Sequence, residues 1–475
     1  MEKEKITMKK IIALIVAVCM VGGIVFALTT CEKEEEVDLS AKVKKKITAY
    51  RTDLEDSAAT LTSSEAVKKY LCNWAESKGI DYETDDADNV ILQVEASEAY
   101  KDAEPTVLVC GYDAEHLNNC IDPISVALYV AKNNEATGEL TVIFTEDEDH
   151  EFNGIKELDD SYFTDDSNVF VLNGGAKNMW STTTAGNAAY TFSSAIERTE
   201  TRGNKAYEIS ITGLPGGVPD EKIASYPNPI KELGDLLAYF KTNSVIYELD
   251  EINGGTSGSL YPKEASCVIV IDENDYEKFE KRITTAIDNF NDKYERYGAT
   301  YAYEETEVPE SVLSTDDMNK LISILYTLID GVYERDEDDN IISITNIGAI
   351  ECADDTCTVS ASGNSITEIG LNQLDLSYTT ICGLSELEFE KTSSQEGWSI
   401  EKPEEDPFVQ EVAAVFKEYS DGTMEYRDNI AVTNCSYIHD MNPDCDLMSI
   451  SVNYKRIAKY AGTLVTFMMN QNVVE

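Results

Sequence analysis

The segments that decide the fold are residues 106–114, which read TVLVCGYDA, and residues 140–149, which read LTVIFTEDED. Each begins with five apolar or β-branched residues, as is typical of a strand buried on both faces. Each then ends abruptly in small and polar residues. A helical run near 123–133 separates the two. This strand–helix–strand order indicates parallel strands joined by a crossover helix.

The same alternation extends on both sides of these two segments. We expect a helix over 63–78, strands at 90–92 and 168–172, and a helix near 150–159. Residues 32–62 are polar and charged, so we expect a tether that runs into the first helix. The pattern predicts an α/β domain with a mostly parallel sheet and helices on both faces.

The sequence pattern changes near residue 186. Four stretches alternate like half-exposed antiparallel strands, and amphipathic helices lie between and after them. We therefore expect an inserted α+β domain over 186–397. The strands are predicted at 188–194, 206–212, 244–249 and 266–271, and the helices near 228–241, 274–297 and 316–333. The first domain would comprise 32–185 and close with 398–475, after a leader over 1–31.

The charge excludes one class of partner. The chain has 475 residues, with 89 acidic against 38 basic side chains and a formal charge of −51. Nucleic-acid binding requires a cationic surface that displaces counterions, so it is not expected. An anionic membrane surface would likewise repel the body of the protein. Only three histidines are present, His116, His150 and His439, and this lowers the expectation of a zinc enzyme.

The amino terminus has the pattern of a membrane signal. Lys9 and Lys10 precede an apolar run over 11–28, and an acidic patch follows at 32–36. In one interpretation a lipoprotein leader is cleaved and Cys31 receives lipid. In the other the run is an uncleaved single span. Both place residues 32–475 on the outer face of a bacterial cytoplasmic membrane.

Eleven cysteines are many for an exported chain. Two fall in the leader region, at Cys19 and Cys31, and nine remain. Cys352 with Cys357 and Cys435 with Cys445 are candidate pairs, although spacing alone does not establish connectivity.

The two opening segments resemble the metal-binding region of M20 family metallopeptidases, in particular their aminoacyl-histidine dipeptidase branch. Family members carry Gly-His-Met-Asp after the first strand and Thr-Glu-Glu after the second. Further short segments that resemble the family occur in the same order over about 60–470. Among them are TGLPGG at 212–217, NGGT at 253–256 and NIG at 346–348. The resemblance implies a zinc-exopeptidase-like α/β domain and an inserted lid and dimerisation domain.

The resemblance also assigns the metal-ligand positions, and most of them are degenerate here. The first His ligand is Tyr112, and the Asp that orients it is Ala114. The bridging Asp falls on Asn119, or on Asp122 with a small gap. The next Asp ligand falls on Asn173.

The general-base Glu falls on Glu148 and the adjacent metal ligand on Asp149, or on Glu146 and Asp147 with a gap. Glu148 is thus a vestigial general-base position, and Asp122 and Asp149 are the remnants of the metal site. The Gly-Pro-His loop that carries the last His ligand is missing. The substrate-binding positions of the lid are Val218, Gly258 and Ser259, none of which can clamp a carboxylate.

These substitutions favour a catalytically inactive, membrane-anchored dipeptidase-like protein that binds peptides or a surface protein, with no cofactor and with a homodimer formed through the lid. The alternative is an active peptidase that uses zinc or manganese in a rearranged, carboxylate-rich site. A serine hydrolase built on Ser257 is disfavoured, because the residues around it do not form a nucleophile elbow in register.

Overall fold

The computed structural model describes residues 39–133, 137–147, 151–175, 177–353, 355–385, 387–420 and 422–471. The chain divides into two compact units. Unit 1 comprises Met1–Thr183, Ser399–Asp428 and Thr433–Glu475, and unit 2 comprises Thr184–Trp398 and Asn429–Val432. The boundaries expected at 185/186 and 397/398 lie within two residues of this division. The return of residues 429–432 to unit 2 had no signal in the sequence.

The first part of unit 1 alternates strands and helices. Its elements are α1 (Leu39–Ser57), α2 (Ser64–Lys78), β1 (Asp81–Thr84), β2 (Val90–Val94), β3 (Thr106–Tyr112), α3 (Leu117–Lys132), β4 (Leu140–Glu146), α4 (Asn153–Glu157), β5 (Asn168–Gly174) and β6 (Met179–Thr184).

Unit 2 is built mainly from longer strands. Its elements are β7 (Gly186–Ala195), β8 (Arg198–Glu200), β9 (Lys205–Thr212), α5 (Pro229–Thr242), β10 (Tyr247–Gly254), β11 (Ala265–Ile271), α6 (Tyr276–Tyr294), β12 (Thr300–Thr306), β13 (Ser311–Leu313), α7 (Thr315–Thr327), β14 (Gly331–Arg335), β15 (Ile341–Ala353), β16 (Thr356–Ser365), α8 (Glu368–Ser385) and β17 (Glu388–Gln395).

The chain then closes unit 1. The remaining elements are β18 (Trp398–Ser399), α9 (Pro407–Ser420), β19 (Tyr426–Asn429), α10 (Asn434–Met441), β20 (Asp446–Val452) and α11 (Ile457–Asn470).

The sheet of unit 1 has the strand order β1-β2-β4-β3-β5-β20-β6-β18, with β19 paired to β6. The four central strands, β4, β3, β5 and β20, are mutually parallel, and antiparallel strands flank them. The central strands are almost wholly buried because helices cover them. This confirms the α/β prediction for this part of the chain.

The main sheet of unit 2 has the order β12-β9-β11-β10-β15-β16-β7-β17, with β14 paired to β15, and its registered pairs are antiparallel. The predicted helices near 228–241 and 274–297 are α5 and α6. The one expected over 316–333 ends at Thr327, and Gly331 then begins β14. Strands and helices together confirm the predicted α+β insertion.

Helix α1 contradicts the expected tether. Val43, Ile47 and Leu54 recur on one face of α1 and are buried in the core of unit 1. The high density of lysines hid this apolar stripe, because only every third or fourth residue has to be apolar. Helix α1 is therefore part of the packed core of unit 1.

Helix α3 also begins earlier than predicted. The helix expected near 123–133 begins at Leu117, and Pro123 lies inside it. Proline has no N–H, so the carbonyl of Asn119 cannot receive its usual helical hydrogen bond. That carbonyl instead lies against Gly174, where an added Cβ would approach it to 1.9 Å.

The cysteines split into one pair and several free thiols. Cys352 and Cys357 face each other across β15 and β16 and form a disulfide, as one candidate pair predicted. The second candidate pair was wrong, because Cys435 and Cys445 are both free. Cys435 is fully buried on α10, where its spacing from Cys445 reflects packing and not pairing.

The predicted leader over 1–31, including Cys31, lies outside the described residues. Among the residues that the structure does describe, no helix has the length and apolarity needed to cross a bilayer.

Candidate functional site

The carboxyl ends of the parallel strands in unit 1 form the candidate site. Strand β4 lies on one side of β3, and β5 lies on the other, so the connections that follow β3 and β4 lead to opposite sides of β3. In open α/β sheets such a reversal opens a crevice at the carboxyl ends of the strands, where ligands bind. A ligand site at this edge would therefore be formed by the residues that follow β3, β4, β5 and β20.

Tyr112 ends β3, and its side chain is fully buried. Its hydroxyl donates a hydrogen bond of 2.7 Å to the backbone oxygen of Asp88, a residue with a positive φ of 62°. Burial, reinforced by the charges of Glu146 and Asp88, raises the pKa of the phenol far above its ordinary value. Tyr112 is therefore a neutral hydrogen-bond donor that supports the loop before β2.

We expect Tyr112→Phe to destabilise unit 1 by about 1 kcal/mol, because the oxygen of Asp88 loses its phenolic donor while the packing is retained. Urea unfolding, compared at equal slope, measures this change. The control is Tyr82→Phe, which removes a hydroxyl from a side chain that is 42% exposed. Equal losses in the two variants would contradict a supporting role for the Tyr112 hydroxyl.

The other degenerate ligand positions lie close to the same edge, but their side chains do not line one common surface. Ala114 is buried, and Asn119 is exposed. Asn173, near the end of β5, donates a hydrogen bond of 3.0 Å to the Ser449 hydroxyl of β20. The fold brings the backbones of these ligand positions together at one edge of the sheet. Their side chains do not meet, because Tyr112 points into the core.

Asp122 is engaged in structural contacts. Its Oδ1 accepts a hydrogen bond of 2.7 Å from Arg51 Nε, and its Oδ2 accepts one of 2.9 Å from the backbone N–H of Tyr454. The carboxylate thus joins α3 to α1 and to the segment between β20 and α11. No sequence pattern identifies Arg51 as the partner, because Arg51 lies in the segment that was expected to be a tether.

The carboxylates after β4 lie at the same edge. Glu146 pairs in register with Tyr112, is nearly buried, and accepts a hydrogen bond of 2.9 Å from the Ser64 hydroxyl. Asp147 Oδ1 accepts the backbone N–H of Phe152 at 2.8 Å. The predicted positions Glu148 and Asp149 lie outside the described residues.

An Asp–His pair at this edge was missed by sequence analysis. Asp113 Oδ2 lies 2.8 Å from His116 Nδ1, and Asp113 Oδ1 accepts the backbone N–H of His116 at 3.0 Å. Burial opposes ionisation of Asp113, but the hydrogen bonds from His116 outweigh it and lower the pKa of the carboxyl group. The available signal was an acid three residues before a His at the start of a helix.

In unit 2, the sequence segments that carry the family resemblance pack against one another. Gly217 bridges to Tyr261, and the Tyr261 hydroxyl donates a hydrogen bond of 2.7 Å to the Thr345 carbonyl. Asn346 donates one of 2.7 Å to the Leu260 carbonyl. Gly255, with a φ of +67°, lies against the Gly348 carbonyl, where an added Cβ would approach the oxygen to 1.9 Å. Close backbone approach accounts for these glycines.

The predicted substrate positions surround this cluster. Val218 is half-buried in the loop after β9, and Gly258 and Ser259 occupy the turn after β10. Ser259 donates its N–H to the Ser257 hydroxyl at 3.2 Å, and the Gly258 carbonyl accepts a hydrogen bond from Asn346. Ser257 is a buried turn residue in this arrangement.

Comparison with known proteins rests on structure alone. No family model and no curated protein matches the sequence. The structure is similar to the aminoacylhistidine dipeptidase of Vibrio alginolyticus, with a TM-score of 0.58, 16% identity, and coverage of 92% of this chain and 98% of that one. This chain has the M20 dipeptidase fold.

A second similar structure is human carnosine dipeptidase 1, with a TM-score of 0.50, 8% identity, and coverage of 92% of this chain and 99% of that one. The M20 dipeptidase fold therefore extends over both units of this chain.

The described residues at the edge do not provide the ligands of the metal pair that the fold implies. Catalytic metals require carboxylates and imidazoles that are free to coordinate. Tyr112 holds its proton and points into the core, and Asp122 is paired with Arg51. Across the described residues, which omit 148–150, no three side chains of His, Cys, Asp or Glu form a group that could hold an ion.

Proposed function

We propose that this protein is a catalytically inactive relative of the M20 dipeptidases, held on the outer face of a bacterial membrane, where it binds a peptide or a protein partner. One observation carries the loss of catalysis: the residues at the ligand positions have taken structural contacts. Tyr112 supports the Asp88 loop, Asp122 pairs with Arg51, and Asn173 bonds to Ser449.

The disulfide supports the location outside the cytoplasm. Structural disulfides persist in oxidising compartments and are rare in the cytoplasm. Cys352 and Cys357 lie at the tip of the β15–β16 hairpin, where the bond is formed between directly paired residues. The apolar run over 11–28 and the candidate lipidation site at Cys31 supply the anchor.

Elemental analysis combined with a hydrolysis assay tests the loss of catalysis. Protein purified without chelator should contain substoichiometric zinc and manganese, and it should not hydrolyse an aminoacyl-histidine dipeptide above the buffer rate. Glu148→Gln should change neither result. Losing a single oxyanion donor already costs roughly 3–4 kcal/mol of transition-state stabilisation. A chain without the metals and the substrate clamp should therefore have no measurable turnover.

The alternative function, an active peptidase with a rearranged site, is favoured by the carboxylates that follow β4. Glu146 and Asp147 lie at the edge where the fold places its chemistry. In that case zinc or manganese would be stoichiometric, Asp149→Ala would lose it, and Glu148→Gln would abolish dipeptide hydrolysis. Asp235→Ala, a change of the same charge in unit 2, would leave both readouts intact.

We further propose that the protein forms a homodimer through unit 2. Helix α8 exposes Ile369, Leu376 and Leu384 at 70%, 70% and 80%. Spacings of 7 and 8 residues place them on one face. Ile369 and Leu384 are almost equidistant from Leu376 along the helix. A two-fold axis near Leu376 would therefore place Ile369 of one protomer against Leu384 of its partner, with the two helices antiparallel. A neutral face also avoids repulsion between two strongly acidic chains.

Leu376→Glu should convert this dimer to a monomer, because it places like charges at the centre of the symmetric contact. Sedimentation equilibrium at micromolar concentration measures the change. The control is Ile246→Glu, which charges another apolar side chain of unit 2, 68% exposed, outside α8. A wild-type chain that sediments as a monomer would contradict the proposed dimer.

A further inference from the structure

Two stretches of unit 1 contain no acidic residues. Residues 39–52 and 447–471 together contain eight Lys or Arg and no Asp or Glu, although almost one residue in five of the whole chain is acidic. The cations are Lys42, Lys44, Lys45, Lys46, Arg51, Lys455, Arg456 and Lys459.

The two stretches meet in unit 1 at Tyr454. Lys44 Nζ and Arg51 Cζ each lie 4.8 Å from the centroid of the Tyr454 ring. The Thr48 hydroxyl lies 3.4 Å from the Tyr454 hydroxyl. One flank of α1 therefore contacts the residue directly before Lys455 and Arg456, so the two sequences form one continuous cationic surface, the basic face.

Four cations of the basic face are available to a partner. Lys42, Lys45, Lys455 and Arg456 are exposed, and none of them forms an ion pair with another described residue. Arg51, in contrast, is paired with Asp122 and Glu55. The nearest carboxylate on α1 beyond Thr52, Asp53, accepts a hydrogen bond from Tyr70. The basic face thus keeps an uncompensated positive charge.

We propose that the basic face docks on the anionic phospholipid headgroups of the membrane to which the chain is anchored, a proposal that rests on the anchoring proposed above. Only seven residues separate Cys31 from Leu39, the first residue of α1. Seven residues span at most about 25 Å, so an anchor that ends at Cys31 holds α1 next to the headgroups.

The net charge of the chain does not oppose this docking. At physiological ionic strength the Debye length is about 8 Å, so acidic residues on distant surfaces are screened from the membrane. The charge of the surface that faces the membrane therefore determines whether it is attracted. Each Lys or Arg near an anionic leaflet strengthens binding about fivefold.

A fluorescent probe on α1 tests the docking in the full chain. Ala49 is exposed on α1, so Ala49→Cys in a chain whose partly exposed Cys72, Cys120 and Cys445 are changed to Ser places an environment-sensitive fluorophore there. On vesicles of phosphatidylcholine with phosphatidylglycerol, acrylamide quenching should fall at least about fivefold relative to pure phosphatidylcholine vesicles. Salt at about 1 M, where the Debye length is about 3 Å, should reverse the protection.

Two matched variants assign the effect to the basic face. Gln at Lys42, Lys45, Lys455 and Arg456 should leave the probe as accessible on anionic vesicles as on neutral ones. Gln at Lys241, Lys281, Lys293 and Arg296, the same change in charge on unit 2, should retain the protection. Flotation with neutral vesicles reports the anchor separately, so failure to float contradicts anchoring, whereas protection that depends on phosphatidylglycerol still supports the docking.

Four results would overturn the proposal. The first is equal quenching on anionic and neutral vesicles. The second is equal protection by inorganic phosphate alone, which would make the face a small-anion site. The third is protection that grows with protein concentration without vesicles, which would identify a second copy as the partner. The fourth is protection without vesicles that disappears when Glu34, Glu35 and Glu36 are changed to Gln, which would identify the chain's own acidic segment.

Discussion

Gly154→Ala should destabilise unit 1 by about 3 kcal/mol, because the added methyl group overpacks a buried site and disturbs its hydrogen bonds. An added Cβ would lie 2.3 Å from Asn89 Oδ1, 2.5 Å from the Glu146 nitrogen and 2.6 Å from the Glu146 oxygen. Two of these atoms belong to the backbone of β4, so no flexible side chain can move aside. The strand or α4 has to shift.

The shift would also break a buried network. Asn89, fully buried, accepts the N–H of Glu146 at 3.1 Å and donates to the Gly154 carbonyl at 2.8 Å and to Asp85 at 2.7 Å. The amide thus joins the start of β2, the end of β4 and α4. Unsatisfied buried polar groups would add to the cost of the clash.

Urea unfolding followed by hydrogen exchange of β4 measures the effect of Gly154→Ala and locates it. Gly383→Ala is the control, because an added Cβ at Gly383 meets nothing within 4 Å and the residue lies in α8. That change should be neutral or stabilise by up to about 1 kcal/mol. A Gly154→Ala variant as stable as the wild type would show that α4 does not fix the end of β4.

The central strands were predictable because their burial leaves a direct record in the sequence. Strand β3 has no charged residue and only one polar side chain before Gly111, and β4 and β5 are similarly apolar. A strand that is buried on both faces requires a nearly continuous run of apolar residues. Helix α1 was missed for the opposite reason: three buried residues suffice to pack it, and its lysines dominate the composition.

The candidate site was predictable in position and not in contacts. Resemblance placed Tyr112, Asp122 and Asn173 at the carboxyl edge of the sheet, where the strands put them. The partners Asp88, Arg51 and Ser449 are 24, 71 and 276 residues away in sequence. No local pattern encodes such pairs, since any Arg or Ser of the chain is an equally good candidate until the fold selects one.

Asp330→Asn should make unit 2 more stable at pH 8 than the wild type, by on the order of 4 kcal/mol. Burial is the largest influence on the Asp330 carboxyl group and raises its pKa from 3.8 to about 7. Hydrogen bonds from Ile347 N–H at 3.1 Å and from the Asn228 amide at 2.7 Å oppose this rise without cancelling it. Both bonds reach Oδ1, an acceptor that asparagine retains.

The sign of the pH dependence follows from proton binding. Between pH 4 and 7 the folded chain keeps the Asp330 proton while the unfolded chain has lost it, so stability falls as pH rises. Below about pH 4 both states are protonated and this penalty vanishes. Above about pH 7 both are ionised and the penalty is complete. The advantage of Asp330→Asn should therefore grow by about 1.4 kcal/mol per pH unit across this window and then level off.

Hydrogen exchange of the β15 amides at pH 5 and pH 8, corrected for the intrinsic exchange rate, measures the local stability of unit 2 without requiring the whole chain to unfold in one step. Glu277→Gln removes an equal charge from an exposed site on α6 and should leave the wild-type pH dependence in place. If Asp330→Asn and the wild type lose stability in parallel between these two pH values, Asp330 is already ionised in the folded chain at pH 5. Another buried group would then set the pH response of unit 2. Asp220, on the loop before α5, is the next candidate, because burial raises the pKa of its carboxyl group.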